Sequence, residues 1–274
     1  MSFPVSFPTD GPLVTVTHPT PSIWVLELHN GADSRLTDYF IKDAILPALD
    51  AVERDWRQIW RAANAPGADK QSAKGALVMV GNRSQNKFFS NGLDFERSLS
   101  NPLFWPDVIN PLFYRLLTFP IPTIAAVNGH CFAGGMVLAL SCDYRVMVDG
   151  AKRRAWMCMN EIHFGAPWPS SIAKIIKDKV PDPRVQRKIG LEGHRFTAQE
   201  AMQAGFVDAI ASGDTEDVVK KAQELGEVVG SNAALGVWGL IRSELYVDTL
   251  KLLRSDEMPR KSVATDDAAA KARL

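Results

Sequence analysis

Apolar residues recur at two spacings along the chain, and the change between these spacings predicts the order of strands and helices. Over residues 13–31, apolar and polar side chains alternate on either side of a proline-rich turn, which predicts two short strands. Over residues 36–63, and again over 215–253, apolar residues recur at helical spacing. Strands separated by helices predict an α/β architecture with helical material near the C-terminus.

Two glycine-containing turns each follow a continuous apolar run that is typical of a strand covered on both faces. FSNGLDFE, residues 89–96, comes after GALVMVG, and NGHCFAGGMVLALSCD, residues 128–143, comes after PTIAAV. Neither turn carries the Gly-Lys-Ser/Thr ending that a phosphate loop needs. Our hypothesis is that two backbone N–H groups, one from each turn, hold a single oxygen atom.

The composition excludes several classes of protein. The 274 residues include 31 basic and 31 acidic side chains, so the chain lacks the basic excess that is typical of nucleic-acid binding. Three cysteines without close pairing argue against a disulfide framework and favour a reducing compartment. The histidines are scattered, which predicts no metal site. No apolar run reaches the roughly 18 residues of a membrane helix.

The two ends of the chain carry different targeting information. The N-terminal MSFPVSFPTDGP lacks a basic segment followed by an apolar one, so no secretory signal is expected. The chain ends in Ala272-Arg273-Leu274, which has the small–basic–leucine form of the peroxisomal import tripeptide. The polar, alanine-rich tail before it can stay free for a receptor. These features predict a peroxisomal protein that an import receptor recognises.

Four segments together resemble the crotonase superfamily, the enoyl-CoA hydratases and isomerases. They are FFSNGLDFE, PTIAAVNGHCFAGGMVLALSCDYRV, MNEIHFG and LEGHRFTAQEAMQAGFVDAI. The first and third are similar to the Δ3,Δ2-enoyl-CoA isomerases in particular. The resemblance implies a spiral core of strand–strand–helix repeats over residues 1–212. It also implies a helical region over 213–274, with the polar tail and targeting tripeptide at its end, and assembly into homotrimers or hexamers.

The resemblance also implies what the two glycine turns bind. The first amide of the family site maps to Leu93 and the second to Gly134, and both bond the thioester oxygen of an acyl-CoA. Removing a proton alpha to the thioester puts negative charge on this oxygen, and fixed N–H groups in a dry site stabilise that charge. Gly134 and Gly135 lack a Cβ, so the oxygen can approach closely. CoA is part of the substrate here, and no separate cofactor is expected.

The number of acids distinguishes the two main reactions of the family. Hydration is commonly served by two carboxylates, and one of their family positions maps to Val137, which cannot accept a proton. The second maps to Glu161, whose neighbours Met157, Met159 and Ile162 are apolar. Partial desolvation should raise the pKa of Glu161, so that it can take a proton and return it. One such carboxylate suffices for a 1,3-proton shift.

Other residues near these motifs are weaker candidates for contact with substrate. Asp94 follows Leu93, and we expect its side chain to hold the turn through bonds to the backbone. RAWMCMNEIHFG, residues 154–165, is expected to form a strand, and His163 then lies on the same face as Glu161, two residues earlier. Trp168 follows closely enough to line a pocket. Gly135 completes the set of predicted substrate-binding residues.

These observations predict a peroxisomal Δ3,Δ2-enoyl-CoA isomerase that acts in the oxidation of unsaturated fatty acids. One alternative is another crotonase-type reaction on an acyl-CoA, such as hydration or a step of secondary metabolism. A second alternative is a catalytically silent scaffold with the same fold.

Overall fold

The computed structural model describes residues 2–101, 103–255 and 262–273. The strands among these residues are β1 Val5–Phe7, β2 Val14–Thr20, β3 Ile23–Leu28, β4 Ala76–Val80, β5 Phe88–Ser90, β6 Thr123–Val127, β7 His130–Phe132, β8 Tyr144–Val148, β9 Met157–Cys158 and β10 Ala209–Ala211. The α-helices are α1 Leu46–Ala63, α2 Phe95–Ser100, α3 Asn110–Leu117, α4 Gly134–Ser141, α5 Ser170–Lys179, α6 Pro183–Gly190, α7 Ala198–Gln203, α8 Thr215–Val229, α9 Trp238–Leu245, α10 Val247–Arg254 and α11 Val263–Arg273. Short 3₁₀ turns span Lys70–Ala73, Glu161–His163 and Gly230–Ala233, and π-helical turns span Phe40–Ile45 and Trp105–Ile109.

The strands form two sheets, and three pairs of consecutive strands run from one sheet to the other. The larger sheet has the order β1-β2-β3-β4-β6-β8-β10, antiparallel from β1 to β3 and parallel from β3 to β10. The smaller sheet, β5-β7-β9, is parallel throughout. The pairs β4–β5, β6–β7 and β8–β9 each contribute their first strand to the larger sheet and their second to the smaller. Helices follow each pair, so the predicted α/β fold of strand–strand–helix repeats is confirmed.

Helix α4 lies between the two sheets. Its sequence, GGMVLALS, is almost entirely apolar, and all eight of its residues are buried. It contacts β5 and β7 of the smaller sheet and β6 and β8 of the larger one. A helix without a polar face is stable only when protein surrounds it on every side, and this position between the sheets provides such an environment.

The first helix of the C-terminal region packs on the larger sheet. Helix α8 contacts β3, β4, β6, β8 and β10. A Cβ added at Gly226 would lie 2.7 Å from the Ile23 side chain and 3.3 Å from that of Ile124, so glycine permits this close packing. Helix α8 therefore belongs to the packed core although it lies beyond residue 212. The division of the chain at that residue stays a prediction.

Two segments differ from the expected secondary structure. RAWMCMNEIHFG was expected to be a strand throughout, but only Met157–Cys158 pairs with β7. Strand β7 ends at Phe132, where the chain turns into α4, so the residues after Cys158 have no partner strand to continue the ladder. The tail lies beyond the helical spacing of apolar residues that ends at residue 253, yet it forms α11, whose alanine-rich sequence has high helix propensity. No helix among the described residues is long and apolar enough to cross a membrane.

Candidate active site

A cavity of about 160 Å³ lies where the turns after β5 and β7 approach the segment after β9. Its walls are mostly apolar, and they include Phe95, Trp105, Val137, Met159, Phe164 and Ile172. The rings of Phe95 and Phe164 meet edge to face with their centroids 5.0 Å apart. An apolar cavity with a few polar groups is the usual form of a small-molecule site.

The turn after β5 leaves the N–H group of Leu93, a residue of this cavity lining, without a backbone partner. Leu36 pairs with Leu93 as an isolated parallel bridge, in which the Leu36 N–H donates to Gly92 O (2.8 Å) and the Asp94 N–H donates to Leu36 O (3.1 Å). In a parallel bridge of this kind, the N–H group of the central residue points away from the partner. Leu93 lines the cavity, and among the described residues its N–H has no hydrogen-bond acceptor.

The turn after β7 leaves further N–H groups at the start of α4. The Ala133 N–H donates to Cys158 O (2.8 Å), and Ala133 O accepts from the N–H groups of Met136 and Val137. No backbone carbonyl of the described chain accepts a hydrogen bond from the Gly134 N–H, and Gly134 also lines the cavity. Ala133 has a φ of 51°, a conformation that is costly for a residue with a Cβ and that often occurs at functional sites.

The two turns are in direct contact. A Cβ added at Gly134 would lie 2.7 Å from carbon atoms of the Leu93 side chain and 3.3 Å from the Leu93 backbone nitrogen. Two N–H groups from separate strand–turn units therefore lie side by side at one end of the cavity. A Cβ at Gly135 would lie 2.4 Å from Ser90 O, so this glycine permits α4 to approach β5.

Glu161 begins the 3₁₀ turn after β9 and reaches the same cavity. Its Oε2 atom is buried and has no hydrogen-bond partner in the described chain. Burial raises the pKa of Glu161 to about 7, although its own backbone N–H and the indole of Trp168 act in the opposite direction. A carboxyl group with a pKa near neutrality can both accept and donate a proton.

Among the described residues that line the cavity, Glu161 alone carries a carboxyl group. Val137, at the position where hydratases of the family place an acid, is fully buried and forms part of the wall. Among all the described residues, no group of three or more His, Cys, Asp or Glu side chains is arranged to hold a metal ion.

The structure brings together some of the residues predicted from the sequence. Leu93, Gly134, Glu161 and Trp168 all line the cavity, and the Trp168 ring packs against α6, where a Cβ on Gly190 would lie 2.9 Å from it. The other three predicted residues lie outside the lining, and they are Asp94, Gly135 and His163.

Asp94 and His163 have other surroundings. The Asp94 carboxylate caps α2 by accepting from the Arg97 N–H (3.2 Å), which agrees with the expected role in holding the turn. His163 is exposed and lies beside Gly193, because the segment forms a 3₁₀ turn and not the strand that would place residues 161 and 163 on one face. Sequence reasoning missed the apolar wall, including Trp105, because no local pattern separates a wall residue from a core residue.

Sequence comparison finds relatives of this chain among known proteins. Residues 67–237 match the family model described as enoyl-CoA hydratase/isomerase. The chain is 32% identical over 196 residues to the peroxisomal enoyl-CoA delta isomerase 2 of Arabidopsis thaliana, an alignment that covers 68% of this chain and 80% of that protein.

Two solved structures share the fold. The apo enoyl-CoA isomerase of Mycobacterium tuberculosis superposes with a TM-score of 0.70 at 24% identity, covering 94% of this chain and 98% of that one. The human mitochondrial delta3-delta2-enoyl-CoA isomerase superposes with a TM-score of 0.64 at 22% identity, covering 95% of this chain and 90% of that one.

Proposed function

Because the chain belongs to the enoyl-CoA hydratase/isomerase family, we propose that it is a Δ3,Δ2-enoyl-CoA isomerase. It moves the double bond of a 3-enoyl-CoA to the trans-2 position during the oxidation of unsaturated fatty acids. The observation that carries the proposal is that Glu161 is the single carboxyl group among the described residues of the cavity lining, which has a buried Val137 where a second acid would be needed for hydration. The delta isomerase activity named for the Arabidopsis relative supports the same reaction.

The N–H groups of Leu93 and Gly134 form the oxyanion hole in this proposal. Both residues line the cavity, and their N–H groups have no backbone acceptor in the described chain. They donate to the thioester oxygen as negative charge develops on it. Each such donor typically lowers the barrier by about 3 to 4 kcal/mol. The N-terminus of α4 adds the positive end of its helix dipole to the same position.

Glu161 moves the proton. Its carboxylate removes a proton from C2 of the 3-enoyl-CoA, and the electron pair delocalises over the dienolate to the thioester oxygen. The protonated Glu161 then returns the proton to C4, which leaves the double bond between C2 and C3. A pKa of about 7 suits both halves of this cycle. The buried, unpartnered Oε2 atom is available for the transfer.

An assay of the purified protein with 3-enoyl-CoA and 2-enoyl-CoA side by side tests this function. We expect isomerisation of 3-enoyl-CoA to be much faster than hydration of 2-enoyl-CoA, because Val137 cannot assist a water molecule. Dominant hydration would contradict the single-acid mechanism. Absence of both activities, with an acyl-CoA still bound, would favour a non-catalytic binding role.

Exposed apolar residues on α9 support the homotrimer or hexamer that the sequence predicts. Leu240, Ile241 and Leu245 are each more than half exposed, and such a patch is typical of a surface that another chain covers. Light scattering coupled to size exclusion measures the assembly directly. A monomer at micromolar concentration would contradict this proposal without affecting the proposed reaction.

Peroxisomal location rests on the C-terminal tripeptide. Ala272 and Arg273 are exposed at the end of α11, and Leu274 lies outside the described residues. The Arabidopsis relative is also named as peroxisomal. Appending a few residues after Leu274 should leave the protein in the cytosol with full activity, as measured by imaging and assay. Unchanged import would show that another segment carries the signal.

A further inference from the structure

The C-terminal end of α4, opposite the candidate oxyanion hole, is held by side chains from three other elements. Water cannot reach the last carbonyl groups of this buried helix, so protein groups must satisfy them. Ser141 O accepts from Arg242 Nη2 (3.1 Å), and Cys142 O accepts from Arg145 Nη1 (2.9 Å) and Lys179 Nζ (3.3 Å). Basic groups at a helix C-terminus also interact favourably with the helix dipole.

Arg242 differs from the other two basic residues because it lies on α9, in the helical region near the C-terminus. Its side chain is 4% exposed. Besides Ser141, its guanidinium group donates through Nη1 to Leu116 O at the end of α3 (2.9 Å), and its Nε lies 2.8 Å from Asp143 Oδ1. The planar fork of an arginine can satisfy several acceptors at once, which a lysine cannot do in the same geometry.

Asp143 extends this arrangement to the strand that leads into α4. Its Oδ2 atom accepts from the backbone N–H of Thr123 (2.8 Å) and from the Thr123 hydroxyl group (2.9 Å). Thr123 begins β6, and the chain runs from β6 through β7 and Ala133 into α4. Asp143 and Arg242 therefore connect the start of β6 with the end of α4, the two ends of the strand–turn–helix unit that contains Gly134.

We propose that Arg242 is a positioning residue that fixes the Gly134 N–H group by holding the opposite end of α4. The inference rests on the proposed function, because it concerns the oxyanion hole. Helix α4 is only about 12 Å long and is packed between two sheets, so a shift at Ser141 moves the whole helix. A misplacement of about 1 Å in a catalytic group can reduce the rate about 10²-fold.

The expected effect is on the reaction and not on binding. Arg242 is absent from the cavity lining, so its replacement leaves the apolar walls and Glu161 in place. A displaced Gly134 N–H group weakens the bond to the thioester oxygen mainly when that oxygen carries charge. We therefore expect kcat to fall while KM changes little, which is the signature of an interaction made in the transition state.

Arg242→Lys is the first test, because lysine keeps a positive charge beside Asp143 but cannot reach both carbonyl groups. We expect kcat to fall about tenfold or more and KM to change by less than about threefold. The second measurement uses no turnover: the ¹³C chemical shift of a saturated acyl-CoA labelled at its thioester carbonyl, free and bound. The downfield shift on binding should be smaller in the variant than in the wild-type protein.

Leu250→Ala provides the matched control. Leu250 is buried in α10, a helix that packs on α3 and α5 but donates nothing to the end of α4. This variant destabilises the same C-terminal helices, and we expect its kcat and carbonyl shift to match the wild type below its unfolding temperature. An equal loss in this control would show that general destabilisation explains the Arg242 effect, and would overturn the inference.

A double variant keeps the inference testable if Arg242→Lys does not fold. Arg242→Met with Asp143→Asn removes both charges, so neither is left buried without its partner. Normal kcat and an unchanged carbonyl shift in either folded variant would overturn the inference. A wild-type protein that binds acyl-CoA without any carbonyl shift would instead overturn the oxyanion hole itself, so the two failures are distinguishable.

Discussion

Two largely buried carboxyl groups lie near the opposite ends of α4, and they differ in the partners of their oxygen atoms. Asp143 uses both oxygens, one beside Arg242 Nε and the other accepting two hydrogen bonds from Thr123. Glu161 has a buried Oε2 without a partner, in a cavity with mostly apolar walls. An ionised carboxylate in a buried position is costly unless it is paired and hydrogen-bonded.

The difference separates a structural acid from one that is available for proton transfer. The ion pair with Arg242 and the two hydrogen bonds from Thr123 hold the Asp143 side chain in place between the start of β6 and the end of α4. At Glu161 its own backbone N–H and the Trp168 indole offset only part of the cost of burial, and the pKa rises to about 7. Buried groups with perturbed pKa values inside a cavity are the usual candidates for acid–base catalysis. The experiments below either remove this contrast or measure it.

The largest expected effect is the loss of turnover in Glu161→Gln. Glutamine keeps the size of the side chain but cannot cycle a proton, so isomerisation should fall by about 10² to 10⁴. Acyl-CoA binding should persist, because the N–H groups of Leu93 and Gly134 are untouched. Steady-state rates and a binding titration measure the two quantities separately.

Glu192→Gln is the control for this substitution. Glu192 is an exposed acid that pairs with Arg187 and lies outside the cavity, so its replacement should leave the rate unchanged. Full isomerase activity in Glu161→Gln would refute the single-glutamate mechanism.

Asp143→Asn should lower the free energy of unfolding more than a substitution that breaks an exposed ion pair. It leaves the buried Arg242 without its counter-ion, and breaking a buried pair in this way typically costs about 3 to 5 kcal/mol. Urea unfolding at neutral pH measures the change in the free energy of unfolding. Asp248→Asn, which breaks an exposed pair with Lys251, should change it by less than about 1 kcal/mol. Similar losses in both variants would show that the buried Asp143–Arg242 pair stabilises the fold no more than an exposed ion pair does.

The sequence identified the candidate acid of the cavity, Glu161, but not the structural acid, Asp143. Glu161 and the two glycine turns lie within short motifs, so their family positions could be read directly from the chain. The pairing of Asp143 with Arg242 joins distant segments, since Arg242 and Ser141 are 101 residues apart. No local pattern marks such a partner, and an arginine on a helix is usually a surface residue.

The fold shows the same limit. Hydrophobic periodicity predicted the strands that run through the core, because burial on both faces leaves a clear apolar run. The strand predicted for RAWMCMNEIHFG is longer than β9, because the length of β9 depends on where its neighbour β7 ends. The cavity walls were also missed, because Phe95, Trp105 and Phe164 look like core residues until the chain is folded.

The pH dependence of the reaction measures the contrast in the active protein. In the proposed mechanism Glu161 must be ionised to accept the C2 proton, and burial raises its pKa to about 7. We expect kcat/KM to rise about tenfold per pH unit below this value and to level off above it. Without such an inflection near neutral pH, the base would have to be a different group or an unburied Glu161.

Trp168→Phe should move this inflection by a modest amount. The Trp168 indole lowers the pKa of Glu161, in opposition to burial, and phenylalanine keeps an aromatic ring but has no N–H group. The inflection in kcat/KM should therefore move to higher pH. Movement to lower pH, or none, would show that the indole N–H does not interact with the ionised Glu161.

The last expected effect is on stability as a function of pH. The pKa of Glu161 is about 7 in the folded protein against 4.5 for an ordinary glutamate. Between these values the unfolded chain releases the proton and the folded protein keeps it, so the wild type loses stability as pH rises through this range. Glu161→Gln does not titrate, and its free energy of unfolding should exceed that of the wild type by an amount that grows from pH 4.5 to 7 and is then constant. Urea unfolding at a series of pH values measures this difference, with Glu192→Gln as the reference for an exposed acid. A difference that stays the same across the range would mean that Glu161 titrates alike in the folded and unfolded chains, and its contrast with Asp143 would then have no electrostatic basis.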